Sequence, residues 1–152
     1  MTTPVQNPAA LGPKSSEPPL SILAPEPPFI TEARRLLKGF AAQLPTTVTG
    51  LERQMMIGDV LGRMDEVDKQ KLRALLNYFL LRMLTINASD IDMGGYGTAG
   101  LIWFRVYGSK KPDKSLGQFN ADEMNYLIQS GMGERQRTFL YENRNLDFSY
   151  IF

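Results

Sequence analysis

The sequence predicts an α+β fold on three observations. Leu72, Leu75, Leu76, Phe79, Leu80, Met83 and Leu84 recur at the i, i+3, i+4, i+7 spacing of one helix face. The period then changes, and Ser89-Asp90-Ile91-Asp92-Met93 and Leu101 to Tyr107 read as strands on either side of a glycine-rich turn. Helical spacing returns with Met124, Leu127 and Ile128.

The length of 152 residues suits one domain with appendages. Lys and Arg total 17 against 16 acids, so a net charge of +1 gives no global field to capture nucleic acid or an anionic membrane. With no cysteine, disulfides and thiolate chemistry are excluded; with no histidine, so are the imidazole base of a Ser-His or Cys-His machine and the commonest zinc ligand. Apolar runs such as Tyr78 to Leu81, which stops at Arg82, are far short of the ~20 residues a membrane span needs. The N-terminus carries no apolar core of signal-peptide type, and a soluble cytoplasmic protein is expected.

Residues 1–29 hold eight of the ten prolines and few large apolar groups, so they are expected to be a disordered or extended tail. Its Glu-Pro-Pro repeats could also dock on an aromatic groove as polyproline helices. Thr31 is positioned to cap a first helix with Leu36, Leu37, Phe40, Ala41 and Leu44 on one stripe, ended by Pro45. Thr49 opens a second, with Leu51, Ile57, Val60, Leu61 and Met64 inward, although Gly58 and Gly62 each weaken it by up to ~1 kcal/mol against Ala. Asp65 or Asp68 caps the third helix, and the three together read as a small bundle on the sheet or as a partner-binding or dimerising helix pair.

In the first strand Ile91 and Met93 share a face, and Asp90 and Asp92 share the other. Two carboxylates on one face could serve as acid and base or hold Mg²⁺, or stand as solvated acids. Gly95-Tyr96-Gly97-Thr98-Ala99-Gly100 spells GxGxxG, but a dinucleotide site needs a helix to start there and a strand follows. The glycines therefore read as hairpin chemistry. Ile102, Phe104 and Val106 alternate with Trp103 and Tyr107, so both faces of the second strand are apolar and Arg105 is expected partly buried and paired. Lys110, Lys111 and Lys114 read as a loop around Pro112, solvated or touching phosphate or acidic lipid. Asn120 and Glu123 have capping-box spacing, and Gly131 suits a C-terminal cap. A further helix over Glu134 to Asn143 is expected to turn Phe139 and Leu140 inward. Leu146 to Phe152 reads as a last strand, whose apolar edge calls for another strand beyond it, as if the chain were cut in mid-domain.

Four pieces in register carry a resemblance. They are Ala88-Ser89-Asp90-Ile91; Phe104-Arg105-Val106-Tyr107-Gly108; Glu134-Arg135-Gln136-Arg137 with Phe139; and Leu146-Asp147-Phe148-Ser149-Tyr150. In this order they resemble the N-terminal domain of PilT-like type IV pilus retraction and related type II and IV secretion ATPases, over about residues 71–152. The resemblance implies a PAS-like antiparallel sheet with flanking helices over residues 66–152; the helical extension over 30–65 and the tail over 1–29 stand before it. It further implies a hexameric ring at the cytoplasmic face of a pilus or secretion machine. There this domain is non-catalytic, and its partners are its own motor domain, neighbouring subunits and platform proteins. Mg-ATP belongs to the motor domain. No G-x-x-x-x-G-K-[ST] occurs in this chain, so no cofactor is carried over to it. Asp92 stands where the family often has histidine, and the helices before Glu66 have no counterpart in compact members. Asp90, Arg105 and Asp147 are the candidates for the sheet's polar contacts or for meeting an adjacent subunit, unless they merely satisfy one another. The other reading is a free-standing PAS-like sensor or adaptor that binds a small ligand or a protein.

Overall fold

Five helices and a small sheet follow one another in the computed structural model, which describes residues 25–151 together with Thr2. The expected tail lies, up to residue 24, outside the described residues apart from Thr2. In chain order the elements are α1 (Pro28–Ala42), α2 (Gly50–Arg63), α3 (Glu66–Thr85), β1 (Asp90–Asp92), β2 (Trp103–Val106), β3 (Ser109–Pro112), α4 (Ala121–Ser130) and α5 (Glu134–Asn143). The class is α+β, as expected.

Helix α1 begins at Pro28, two residues inside the segment expected to be tail. Proline suits a first helical position because its missing N–H would have no intrahelical acceptor there. Thr31 is therefore within the helix and is not its cap; its Oγ1 donates to Glu26 Oε2 at 3.0 Å. Ile30, Ala33, Leu37 and Ala41 are buried, while Leu36 and Phe40 are only partly so.

The periodicity of α3 predicts its inner face well: Leu72, Leu75, Leu76 and Phe79 are buried. Each such side chain contributes about 1.5–3 kcal/mol relative to exposure. The stripe fades towards the C-terminus, where Leu80 and Met83 are half-buried and Leu84 is exposed. Helices α1 and α4 both pack on α3, and β1 touches its end. Residues of the expected 30–65 extension and of the following segment thus share one hydrophobic cluster, from Ile30 through Phe79 to Leu127.

Phe79 meets Phe119 edge-on with ring centroids 5.7 Å apart, and the Arg34 guanidinium lies within 6 Å of both rings. Arg34 also donates to Leu116 O (2.6 Å) and to Glu26 Oε1 (2.6 Å). One side chain of α1 thereby fixes both the start of its own helix and the short 3-10 turn Lys114–Leu116.

The three strands run antiparallel in the order β1-β2-β3. Asp90 faces Arg105, Ile91 faces Phe104 and Asp92 faces Trp103. Lys110 and Lys111, expected in a loop, instead lie in strand β3, with Arg105 opposite Lys110 and Val106 opposite Ser109, and Lys114 begins the 3-10 turn after it. Tyr107 (φ 49°) and Gly108 (φ 79°) make the two-residue connection, and positive φ at both matches the twist of the strands they join. Only one face of β2 is covered: Ile102 and Phe104 are buried against the helices, whereas Tyr107 and Arg105 are exposed. Arg105 is thus not partly buried as expected. The glycine turn is a hairpin connection, and at Gly100 (φ 72°) a Cβ would fall 2.1 Å from Phe119 O.

Asn120 Oδ1 accepts from Glu123 N at 2.8 Å, one half of the expected capping box, and Gly131 follows α4 in the right-handed region at φ −78°. Helix α5 has the expected bounds but buries none of its residues, and Phe139 stays 49% exposed. The segment from Leu146 to Ile151 forms no strand; Tyr150 lies on α3, where its hydroxyl donates to Asn77 Oδ1 at 2.7 Å. An alternating pattern alone makes no strand when the covering surface is a helix with no free backbone groups to pair.

The glycines of α2 have opposite settings. A Cβ on Gly58 would sit 1.9 Å from Tyr141 Oη, whereas one on Gly62 meets nothing within 4 Å. Gly62→Ala should raise stability by up to ~1 kcal/mol through helix propensity. Gly58→Ala should lower it by about 1–3 kcal/mol through overpacking. Urea unfolding checks both, and a gain in both variants would contradict the α2–α5 packing.

Candidate functional site

The pleat of β1 sends Asp90 and Asp92 away from the core, onto the same open face as Arg105 and Lys110. Arg105 Nε lies 3.4 Å from Asp90 Oδ2, and Lys110 pairs with Asp92 while its Nζ sits 5.9 Å from the centre of the Trp103 ring. Arg105 also donates to Gly108 O at 3.2 Å, and Asp90 accepts from Ser89 Oγ at 2.6 Å. These two acids and two cations cancel, so the face is polar without a net sign. Each carboxylate that could have acted as a base or a Mg²⁺ ligand faces a cation. Among the described residues no group of three or more Asp or Glu side chains could hold a metal ion.

Two of the three candidate residues therefore meet. Asp147 does not join them: it is exposed, in the segment after α5, and makes no hydrogen bond or ion pair among the described residues. Lys111 and Lys114 are exposed on the β3 side, apart from any aromatic contact among the described residues.

Several ion pairs bind elements to one another. Arg53 of α2 grips Asp122 of α4 through both carboxylate oxygens at 2.7 Å and donates to Val48 O at 2.9 Å. The hydrogen bond that it donates to Asp122 holds the Arg53 guanidinium above its ordinary range. Tyr126 beside them is buried, which pushes its phenol up to about 12.

A second polar region lies between α2 and α5, where a cleft of about 510 Å³ is floored by Gly58 and Gly62 and flanked by Arg63 and Arg137. A smaller hollow of about 250 Å³ adjoins it at Gly62, Glu134 and Arg137 and reaches Lys69 and Arg73. The sequence carried one signal of this cleft, two glycines four apart in an otherwise regular helix. Read as propensity they only weaken α2; read as shape they remove side chains from one face.

No protein-family model, curated protein or solved structure matches the chain. Among the described residues no helix is long and apolar enough to cross a membrane.

The side chains of Arg105 and Asp90 are 43% and 60% exposed, so their pairing is screened by solvent. A double-mutant cycle of Asp90→Ala and Arg105→Ala should return a coupling below ~1 kcal/mol in thermal or urea unfolding. A markedly larger coupling would make the pair a structural tie of the sheet and not a contact free to serve a partner.

Proposed function

We propose that this chain is the non-catalytic N-terminal portion of a PilT-like ATPase that powers pilus retraction or secretion. Its work is to shape a hexameric ring and to pass on closure around Mg-ATP held by a motor domain. One observation carries this reading. The motif residues Asp90 and Arg105 face each other across β1 and β2, and the motif glycine, Gly108, occupies the β2–β3 turn at φ 79°, a conformation that favours glycine. Residues far apart in the resemblance thus have a common physical reason to occur together. The α5 helix with Gln136 and Arg137 follows in the order the resemblance requires, while Asp147-Phe148-Ser149 follows it without forming the strand that the resemblance implies.

In this reading the PAS-like domain works at the cytoplasmic face of the inner membrane. The open face of β1–β3, polar and without net charge, meets the neighbouring subunit, and Asp90 and Arg105 exchange their mutual pairing for contacts there. Exposed pairs cost little to part, which suits a surface that engages and releases in each cycle. A free-standing adaptor is the second reading, favoured by the α2–α5 cleft.

The test is reconstitution with the RecA-like motor domain of a PilT-like ATPase. The chain alone should hydrolyse no ATP, and mixed with the motor domain it should enter hexameric particles seen by analytical ultracentrifugation. Arg105→Glu should weaken that entry about tenfold or more through like-charge contact at the subunit interface. Hydrolysis by the chain alone, or failure to enter any ring, would overturn the proposal.

A further inference from the structure

Most arginines that tie this fold together do so through carboxylates, as Arg34, Arg53 and Arg82 show. The arginines at the α2–α5 cleft are held differently. Arg63 Nε donates to Asp59 O (3.3 Å), Arg73 Nε to Ser130 O (3.2 Å) and Arg137 Nη1 to Met132 O (2.8 Å). Among the described residues none of these three guanidinium groups has a carboxylate within ion-pair distance.

A backbone carbonyl fixes the position of a guanidinium while neutralising none of its charge. It also uses one of the five N–H donors, leaving the rest for an acceptor in the cleft. Lys69 adds a fourth cation, whose acidic neighbour Glu66 stands 4.0 Å away. Within the cleft Arg63 and Arg137 are matched by Asp59 and Glu134, whereas the adjoining hollow sets Lys69, Arg73 and Arg137 against Glu134 alone, so cleft and hollow together carry a local excess of +2 (four cations less two acids) on the hollow's side. The first turn of α5, at Gly133 and Glu134, opens on the same hollow and adds the partial positive charge of a helix start.

We propose that this cleft and the adjoining hollow bind a small phosphate-bearing ligand whose phosphate lies at Arg137, which lines both, with Arg63 on the cleft side and Arg73 on the hollow side as further oxyanion donors. The cleft's volume of about 510 Å³ lies in the range of small-molecule sites and leaves room for a group beyond the phosphate, while the adjoining hollow carries Arg73. Guanidinium donors in a fixed fork match phosphate oxygens in pairs, which a mobile ammonium does not. Asp59 and Glu134 on the same lining suit hydroxyl or amine groups of that ligand and set it apart from a bare polyanion. Residues of α2 build half of the cleft, so the helices before Glu66 acquire a role that the ring reading does not give them. The two proposals stand or fall separately, because ring entry does not involve this site.

Isothermal titration of the full chain with pyrophosphate at low ionic strength tests the site. One saturable site is expected, weakened about tenfold by Arg137→Gln and by Arg63→Gln, since a hydrogen bond between charged groups is lost in each. Glu134→Gln should tighten binding by relieving repulsion. The Arg63 side chain is exposed and its hydrogen bond stays within its own helix, so its variant should melt with the wild type, which separates lost binding from lost folding. Non-saturable heat, equal affinity in wild type and both arginine variants, or weaker binding after Glu134→Gln would overturn the proposal. So would saturable binding of hexaglutamate where pyrophosphate gives none, because the cleft would then serve an acidic peptide.

Discussion

The buried stripe of α3 is the constraint on which the other elements depend. Leu72, Leu75, Leu76 and Phe79 are all but removed from water, and no single neighbour covers them: α1 and α4 each take part. A helix of 20 residues with a one-sided apolar face has to be flanked in this way, since isolated helicity contributes little in water. The sheet is small, with strands of three or four residues, and is stabilised by packing Ile91 and Phe104 on the helical body. Its outer face is then left to solvent or to a partner.

Charged side chains divide the remaining work. Arg34 and Arg53 reach across to other elements, satisfy loop carbonyls and pair with acids, which converts chain ends and turns into fixed points. Such bidentate or stacked guanidinium contacts give orientation as well as energy. The arginines beside the α2–α5 cleft are oriented by carbonyls alone and keep their charge unspent. That contrast distinguishes cations that belong to the fold from cations available to a ligand.

How much of this was legible in the sequence depends on the range of the interaction. The helices α2 to α5 follow from periodicity, which is local, and α4 also from its Asn120 cap, whereas Thr49 and Asp65 stand at the starts of α2 and α3 without a side-chain capping bond; the hairpin around the glycine turn follows from alternation and positive φ. Strand β3 was hidden because its lysines read as loop and its turn is Tyr107-Gly108, not Asn-Gly or Asp-Gly. The inward faces of α5 and the supposed last strand failed for another reason. Alternation and helical spacing say which residues share a face, never whether anything lies against it, and Phe139 and Ile151 remain exposed. At the candidate site the resemblance grouped Asp90, Arg105 and Asp147 alike, and only the strand register, set by long-range pairing, separates the pair that meets from Asp147. The cleft joins residues of α2 to residues of α5, and no local signal reports a separation of that length.

The resemblance divides the helices of residues 30–65 from the domain after them, while the packing joins them in one core through α1 on α3. Native-state hydrogen exchange, resolved by residue, distinguishes the two most directly. Amides of α1 around Leu37 should open with the same free energy as those of α3 around Leu75, because neither buried face survives without the other. Exchange through α1 and α2 several orders of magnitude faster than in α3 would show an appended segment, and would contradict a fold assembled around the α3 stripe.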